Sequence, residues 1–272
     1  MPSRRILFVN QEISPYSPET EVSKFVHDLS AFTSKSGRDI RTLMPRYNYV
    51  SDRKHQLHEV IRLSGMNLII NNFDHQLIIK VGTMPNSRAQ VYFIDNDEYF
   101  EGREPIYASE GVFHEDNDER MMFFCRGSLE AVRGLAWEPT LIHVNGWFAS
   151  MVPFYIRRIK KGTTFFHDTK LVISIFGDDF EQVFPEKMEK KLKHEGATAK
   201  DLNLYKNRDF QALMRTAITY SQGVVVASPD ANPELVAFAK ECKKNVLDYN
   251  PDKEQFFCDI NKFYDTIIGT KK

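Results

Sequence analysis

Cysteine, tryptophan and net charge are all scarce in this chain of 272 residues. Its three cysteines, Cys125, Cys242 and Cys258, are odd in number and form no CxxC pair. That excludes a disulfide framework and a cysteine-based zinc site, and fits free thiols in a reducing compartment. The formal net charge is -1, so no basic surface is expected to hold a nucleic acid. No apolar run reaches the roughly 18 residues that a membrane span requires. The opening MPSRRILFVN has too short an apolar stretch before Asn10 and Glu12 to be a signal peptide and reads as a first strand. Walker, GxGxxG and GxSxG motifs are missing, which removes the commonest nucleotide loops and the hydrolase nucleophile elbow. These absences predict a cytoplasmic protein with no nucleic-acid partner and no membrane partner.

What is present is an apolar share of 42%, enough for a large core. Short, largely apolar runs suit strands buried on both faces of a parallel sheet. They occur at Ile6–Val9, Ile40–Met44, Gln90–Ile94, Leu141–Val144, Leu171–Phe176, Gly223–Val226 and, more briefly, Val246–Leu247. Between them lie segments with apolar residues three and four apart. Val22, Phe25, Val26, Leu29 and Phe32 share one helix face, and Gly37 stops that helix. Further helices are predicted over 119–135, 148–159, 185–193, 209–221, 233–242 and 252–268, the last capped by Asp252. Alternation from about Val60 to Val81, broken by Asn71–His75, predicts an inserted β-hairpin. A long polar loop is expected over 97–118. The interleaved Lys187, Lys190, Lys191 and Lys193 with Glu186, Glu189 and Glu195 read as a solvated helix face. Strand–helix alternation predicts a single α/β domain, residues 1–272, built on one doubly wound Rossmann-like parallel sheet. The amphipathic segment at 245–272 is expected to close it.

Five segments, in order, resemble the glycogen and starch synthases, the family-5 glycosyltransferases of GT-B fold. ILFVNQEISP (6–15) is similar to that family's opening strand and SSE-x-x-P loop. GRDIRTLMPRY (37–47) is similar to GHDVRVLLPRY, and VYFIDNDEYF (91–100) to VYFLDNPEYF. FFCRGSLEAVRGLAWEPTLIHVNGW (123–147) and GVVVASP (223–229) complete the series. The resemblance covers about residues 4–235 and implies one half of a GT-B fold, the N-terminal half, without the C-terminal half that holds most of the ADP-glucose. It implies a retaining transfer with no metal and no cofactor, ADP-glucose being the donor substrate.

Against that pattern the donor loop is degenerate. Where the family has Lys-Thr-Gly-Gly-Leu, this chain has Pro18, Glu19, Thr20, Glu21 and Val22. A carboxylate beside a diphosphate is repelled by roughly 1 to 4 kcal/mol at contact, depending on the dielectric. Gly146 stands for an aspartate and Phe176 for the active-site histidine. No catalytic residue is therefore assigned. Candidate sugar-binding residues are Glu12, Arg46, Tyr47, His143, Asn145, Trp147 and Asp178. His143 and Trp147 each have a packing reading beside the functional one. The pairs Asp178–Asp179 and Asp95–Asp97 could hold a divalent ion, but a solvated or capping role is expected. The resemblance implies an α-glucan or small-sugar ligand without stand-alone transfer. The alternatives are an acceptor half completed by a separate chain that supplies a second Rossmann domain, or a non-catalytic regulatory protein.

Overall fold

The computed structural model describes residues 4–85, 87, 89–105, 111–159 and 164–269. Its strands in chain order are β1 (Arg5–Asn10), β2 (Asp39–Pro45), β3 (His58–Glu59), β4 (Met66–Ile70), β5 (Phe73–Thr83), β6 (Gln90–Asp95), β7 (Leu141–Asn145), β8 (Lys170–Ile175), β9 (Gly223–Val226) and β10 (Asn245–Leu247). The helices are α1 (Glu21–Lys35), α2 (Asp52–His55), α3 (Asn117–Gly134), α4 (Val152–Ile159), α5 (Lys187–His194), α6 (Ala199–Leu204), α7 (Phe210–Tyr220), α8 (Pro233–Glu241) and α9 (Lys253–Ile268).

The sheet order is β10-β9-β8-β7-β1-β2-β6-β5-β3, with β4 paired to β5. All pairings from β10 to β6 are parallel, and those of β5 with β6, β3 and β4 are antiparallel. This is the expected α/β, doubly wound, mostly parallel sheet. Its central strands are buried end to end because helices cover both faces. The chain grows outward from β1 through β2 and β6, then returns to the other side of β1 for β7 to β10. The β1/β7 boundary is thus the topological switch point, where open α/β sheets form a crevice at the carboxyl ends of their strands.

The predicted hairpin forms as β4 and β5, joined by Asn71 and Asn72 at φ 51° and 69°. Both positive angles match a mirror-image hairpin turn, in which asparagine is well tolerated. At the far end, α9 buries Phe256, Phe257, Ile260 and Tyr264. Phe257 packs edge-on against Phe25 and tilted against Phe32 of α1, at 5.9 and 5.8 Å between ring centres.

Several expectations need correction. Lys191 is not on a solvated face: it is 5% exposed, and its Nζ lies 2.7 Å from both Asp118 and Glu119. Burying a lysine requires such compensation, and it ties α5 to the start of α3. The helix expected over 148–159 is split into a 3₁₀ turn at Trp147–Ala149 and α4. The expected loop at 97–118 gives way to α3 at Asn117, and its residues 106–110 lie outside the described residues. The short α2, β3 and α6 were not anticipated, being too brief to show a period.

A crevice at the strand ends

Residues that follow consecutive parallel strands meet at one edge of a sheet. Here β1 delivers Gln11 and Glu12, β2 delivers Arg46 and Tyr47, β6 ends on Asp95, β7 delivers Asn145 to Trp147, and β8 leads to Phe176 and Asp178. The floor of the switch point is a ladder of amides. Asn145 donates from Nδ2 to Asn10 Oδ1 at 2.8 Å, and Asn10 donates to the Leu43 carbonyl at 3.1 Å. Asn145 Oδ1 is buried with no partner among the described residues.

Gly146 has φ 83°, a conformation that glycine adopts without strain. A Cβ there would fall 2.6 Å from Gln11 Cβ and 2.9 Å from its Oε1. Gln11 Oε1 in turn accepts from the Phe148 backbone N–H at 3.3 Å. The glutamine side chain therefore occupies the space that a side chain on residue 146 would need. The absence of the family's aspartate is built into the backbone and its neighbour.

The start of α1 is equally closed. Thr20 Oγ1 accepts from Ser23 N at 3.0 Å, and Ser23 Oγ accepts from Thr20 N at 2.9 Å. This reciprocal cap satisfies the Thr20 and Ser23 N–H groups, which could otherwise turn toward an anion. The Thr20 hydroxyl also donates to Glu12, and Glu21 adds a charge in the first turn. Pro18 and Glu19 are exposed, and Glu19 pairs with Lys24 at 2.8 Å.

Two carboxyl groups at this edge lie within reach of each other's charge. Burial raises the pKa of Glu12, and the Thr20 hydrogen bond only partly opposes it. Burial also raises Asp178, to about 7, helped by the charges of Glu12, Asp179 and Glu21. Asp178 Oδ2 is buried with no hydrogen-bond partner among the described residues. The nearby Tyr47 and Tyr49 hydroxyls are likewise buried without partners, and burial together with Glu12 raises both pKa values.

The other sites expected from sequence are committed elsewhere. Arg46 donates to Asp52 Oδ1 at 3.3 and 3.2 Å and approaches Asp95 at 3.9 Å. His143 is fully enclosed. Its Nδ1 meets the Tyr264 hydroxyl at 2.6 Å and its Nε2 meets Ser174 Oγ at 2.8 Å. Burial lowers its pKa to about 3, so it is neutral and structural. Trp147 is 1% exposed, packed against Phe148, Phe180 and Phe184 at ring-centre distances of 5.2, 4.9 and 6.1 Å. It offers no open ring face to a sugar. Phe176 packs edge-on against Phe25 at 5.3 Å. The surface of the crevice thus comes down to Glu12, Asp178 and the capped loop. Among the described residues no group of three metal-ligating side chains occurs, so neither aspartate pair assembles a metal cage.

Sequence reasoning missed Gln11 and the Lys80 pairing of Asp95. The first had a signal: Asn10 and Gln11 take the positions of two serines in the loop motif. The second had none, because Lys80 and Asp95 meet only through antiparallel pairing of β5 with β6.

Comparison with known proteins agrees with the fold. The starch synthase catalytic domain family matches residues 5–247. The glycogen synthase of Chlorobium phaeobacteroides is 32% identical over 193 residues, 69% of this chain and 39% of that protein. The glycogen synthase of Chlorobaculum parvum is 31% identical over 235 residues, 86% of this chain and 47% of that protein. The chain therefore spans less than half the length of these relatives. Among solved structures, the catalytic domain of starch synthase IV from Arabidopsis thaliana, bound to ADP and acarbose, superposes with a TM-score of 0.70. It covers 90% of this chain and 51% of that one at 14% identity. At that identity the likeness speaks for the fold alone.

Proposed function

We propose, from the premise that this chain belongs to the starch synthase catalytic domain family, that its strand-end crevice holds a neutral α-glucan or small sugar and does not by itself transfer glucose from ADP-glucose. The observation that carries this reading is the Glu12–Asp178 carboxyl pair beside a helix start capped by Thr20 and Ser23. Carboxylates repel a diphosphate by Coulomb's law but accept hydrogen bonds from sugar hydroxyls. The cap takes up the Thr20 and Ser23 N–H groups, and the carboxylates of Glu12 and Glu21 beside it disfavour a phosphate. The pair is therefore selective for an uncharged, hydroxyl-rich ligand.

Affinity electrophoresis of the purified chain in gels with and without glycogen tests the binding. Retardation by glycogen, abolished by 0.1 M-scale maltooligosaccharide competition, is the expected result (weak sugar binding is roughly millimolar, about 4 kcal/mol). Unchanged mobility would remove the carbohydrate reading and leave the regulatory one. Efficient glucose transfer from ADP-glucose by the chain alone would remove the statement about catalysis.

A second reading has its own support. Val112 and Val183 are 59% and 55% exposed, and the segments that carry them meet where Phe113 packs on Phe180, two residues after Asp178, at 5.6 Å. An apolar rim beside an acidic crevice suits a separate chain that brings cations and a second Rossmann domain. Glucose transfer only in a mixture with such a chain would establish it. A cytoplasmic location goes with either reading, in keeping with the unbridged thiols of Cys125, Cys242 and Cys258.

A further inference from the structure

A second cavity, of about 580 Å³, opens on the outer side of α3 and α4, between the β4–β5 turn and the end of α5. It shares no residue with the strand-end crevice. Its size suits a small molecule of monosaccharide scale or somewhat larger. Its lining is mostly polar and includes Arg126, Arg158, His194 and Asn72.

The charges in it do not cancel evenly. Glu130 is chelated by Arg133 at 2.8 and 3.0 Å. Glu195 is engaged by Arg126 at 2.9 Å, and the same Arg126 Nη1 donates to the Ile69 carbonyl at 2.6 Å. Arg158 differs. Its nearest carboxylate, Asp201, lies 3.9 Å away. The oxygens of Asp201 are already taken: Oδ2 by Thr198 N and Oγ1 at 2.7 and 2.6 Å, and Oδ1 by the Tyr220 hydroxyl. Among the described residues the Arg158 guanidinium donates no hydrogen bond, although it is only 24% exposed. Gly196 makes room for it: at φ 81°, a Cβ there would fall 3.0 Å from Arg158 Nη2.

A guanidinium that lines an open cavity, with donors unused by the described residues, is available to an incoming acceptor. Its planar fork matches two oxygens of one oxyanion. His194 and Asn72 also line the cavity and can add donors, and the remaining volume exceeds what an inorganic anion fills. We propose that this cavity binds a small phosphorylated, hydroxyl-bearing molecule of the sugar-phosphate class, with Arg158 holding the phosphate.

The test is isothermal titration of the full chain with glucose 6-phosphate, glucose 1-phosphate, glucose and inorganic phosphate. Saturable binding of at least one sugar phosphate, weaker by about tenfold in Arg158→Gln and partly retained in Arg158→Lys, is expected for the loss of one forked charge-assisted contact. Thermal unfolding of both variants checks that the fold is kept, and Asn72→Ala gives a second, milder loss at a turn position. Asp178→Asn, in the strand-end crevice, leaves the binding unchanged. Several results would overturn the proposal: no saturable binding of either sugar phosphate, equal affinity for inorganic phosphate or for glucose, or binding sensitive to Asp178→Asn and not to Arg158→Gln.

Discussion

Asp95 and Asp178 follow two parallel strands of the same sheet and open on the same edge, yet their surroundings are opposite. Lys80 Nζ lies 2.9 Å from Asp95, and Arg46 stands at 3.9 Å. Lys80 also bridges to Asp52 at 2.9 Å, so this half of the edge neutralises itself. Burial still raises the Asp95 pKa, but both cations oppose it. Among the described residues no cation perturbs Asp178, which feels the charges of Glu12, Asp179 and Glu21 instead. A fold that compensates one buried carboxyl and leaves another exposed to like charges has made the second half of the edge available. On the reading proposed above, the ligand of that half donates hydrogen bonds and carries no negative charge.

The largest effect expected is at the boundary between these halves. Gly146→Asp, which restores the family's residue, should cost about 4 kcal/mol. Overpacking against Gln11 and the positive φ both contribute. Adding Gln11→Ser should recover the packing part and leave the backbone part. Urea unfolding of the single and double variants measures this, and a neutral Gly146→Asp would show that Gln11 yields easily.

Lys80→Met should cost about 3 kcal/mol, because it strands Asp95 and part of Asp52 without their shared cation. If chemical denaturation finds no loss, the compensated half is not held together by that pair. Asp178→Asn should do the reverse. The folded chain holds the Asp178 proton more tightly than an unfolded one, with pKa about 7 against 3.8. That side chain's favourable contribution is therefore complete below pH 4 and is lost as the pH rises through about 7. The variant should gain about 1–2 kcal/mol at pH 8 and nothing at pH 4. A pH-independent effect would contradict the crowding of carboxyls.

The smallest effect distinguishes the edge from the interior below it. Tyr264→Phe removes one hydrogen bond to His143 and should cost about 1 kcal/mol near neutral pH. His143 has the opposite pH behaviour to Asp178. Its folded pKa, about 3, lies below the ordinary 6.5. The stability it supports is present above pH 6.5 and is lost as the pH falls toward 3. Thermal unfolding across that window should therefore be shallower at the acid end in His143→Gln than in the parent.

Much of the frame was legible in residue patterns. The apolar run at Ile6–Val9 and the largely apolar run at Leu141–Val144 became adjacent parallel strands. The spacing of Val22, Phe25, Val26 and Leu29 became the buried face of α1. Asn71 and Asn72 became a two-residue turn. In the site, the loss of the donor-loop lysine and glycines could be read directly, and the fold adds that Thr20 and Ser23 close the helix start. Lys191 was misread because charge patterning counts residues on one helix and cannot see Asp118 arriving from another.

The sequence by itself determined the strand and helix types, the family, and the carboxylates at residues 12 and 178, because these depend on periodicity and residue identity along the chain. Only the tertiary structure decided that His143 and Trp147 are enclosed, that Gln11 fills the space beside Gly146, and that Lys80 serves Asp95 while, among the described residues, no cation serves Asp178. Those outcomes depend on which distant segments come within a few ångströms, and burial and Coulomb energy act through space, whatever the separation along the chain.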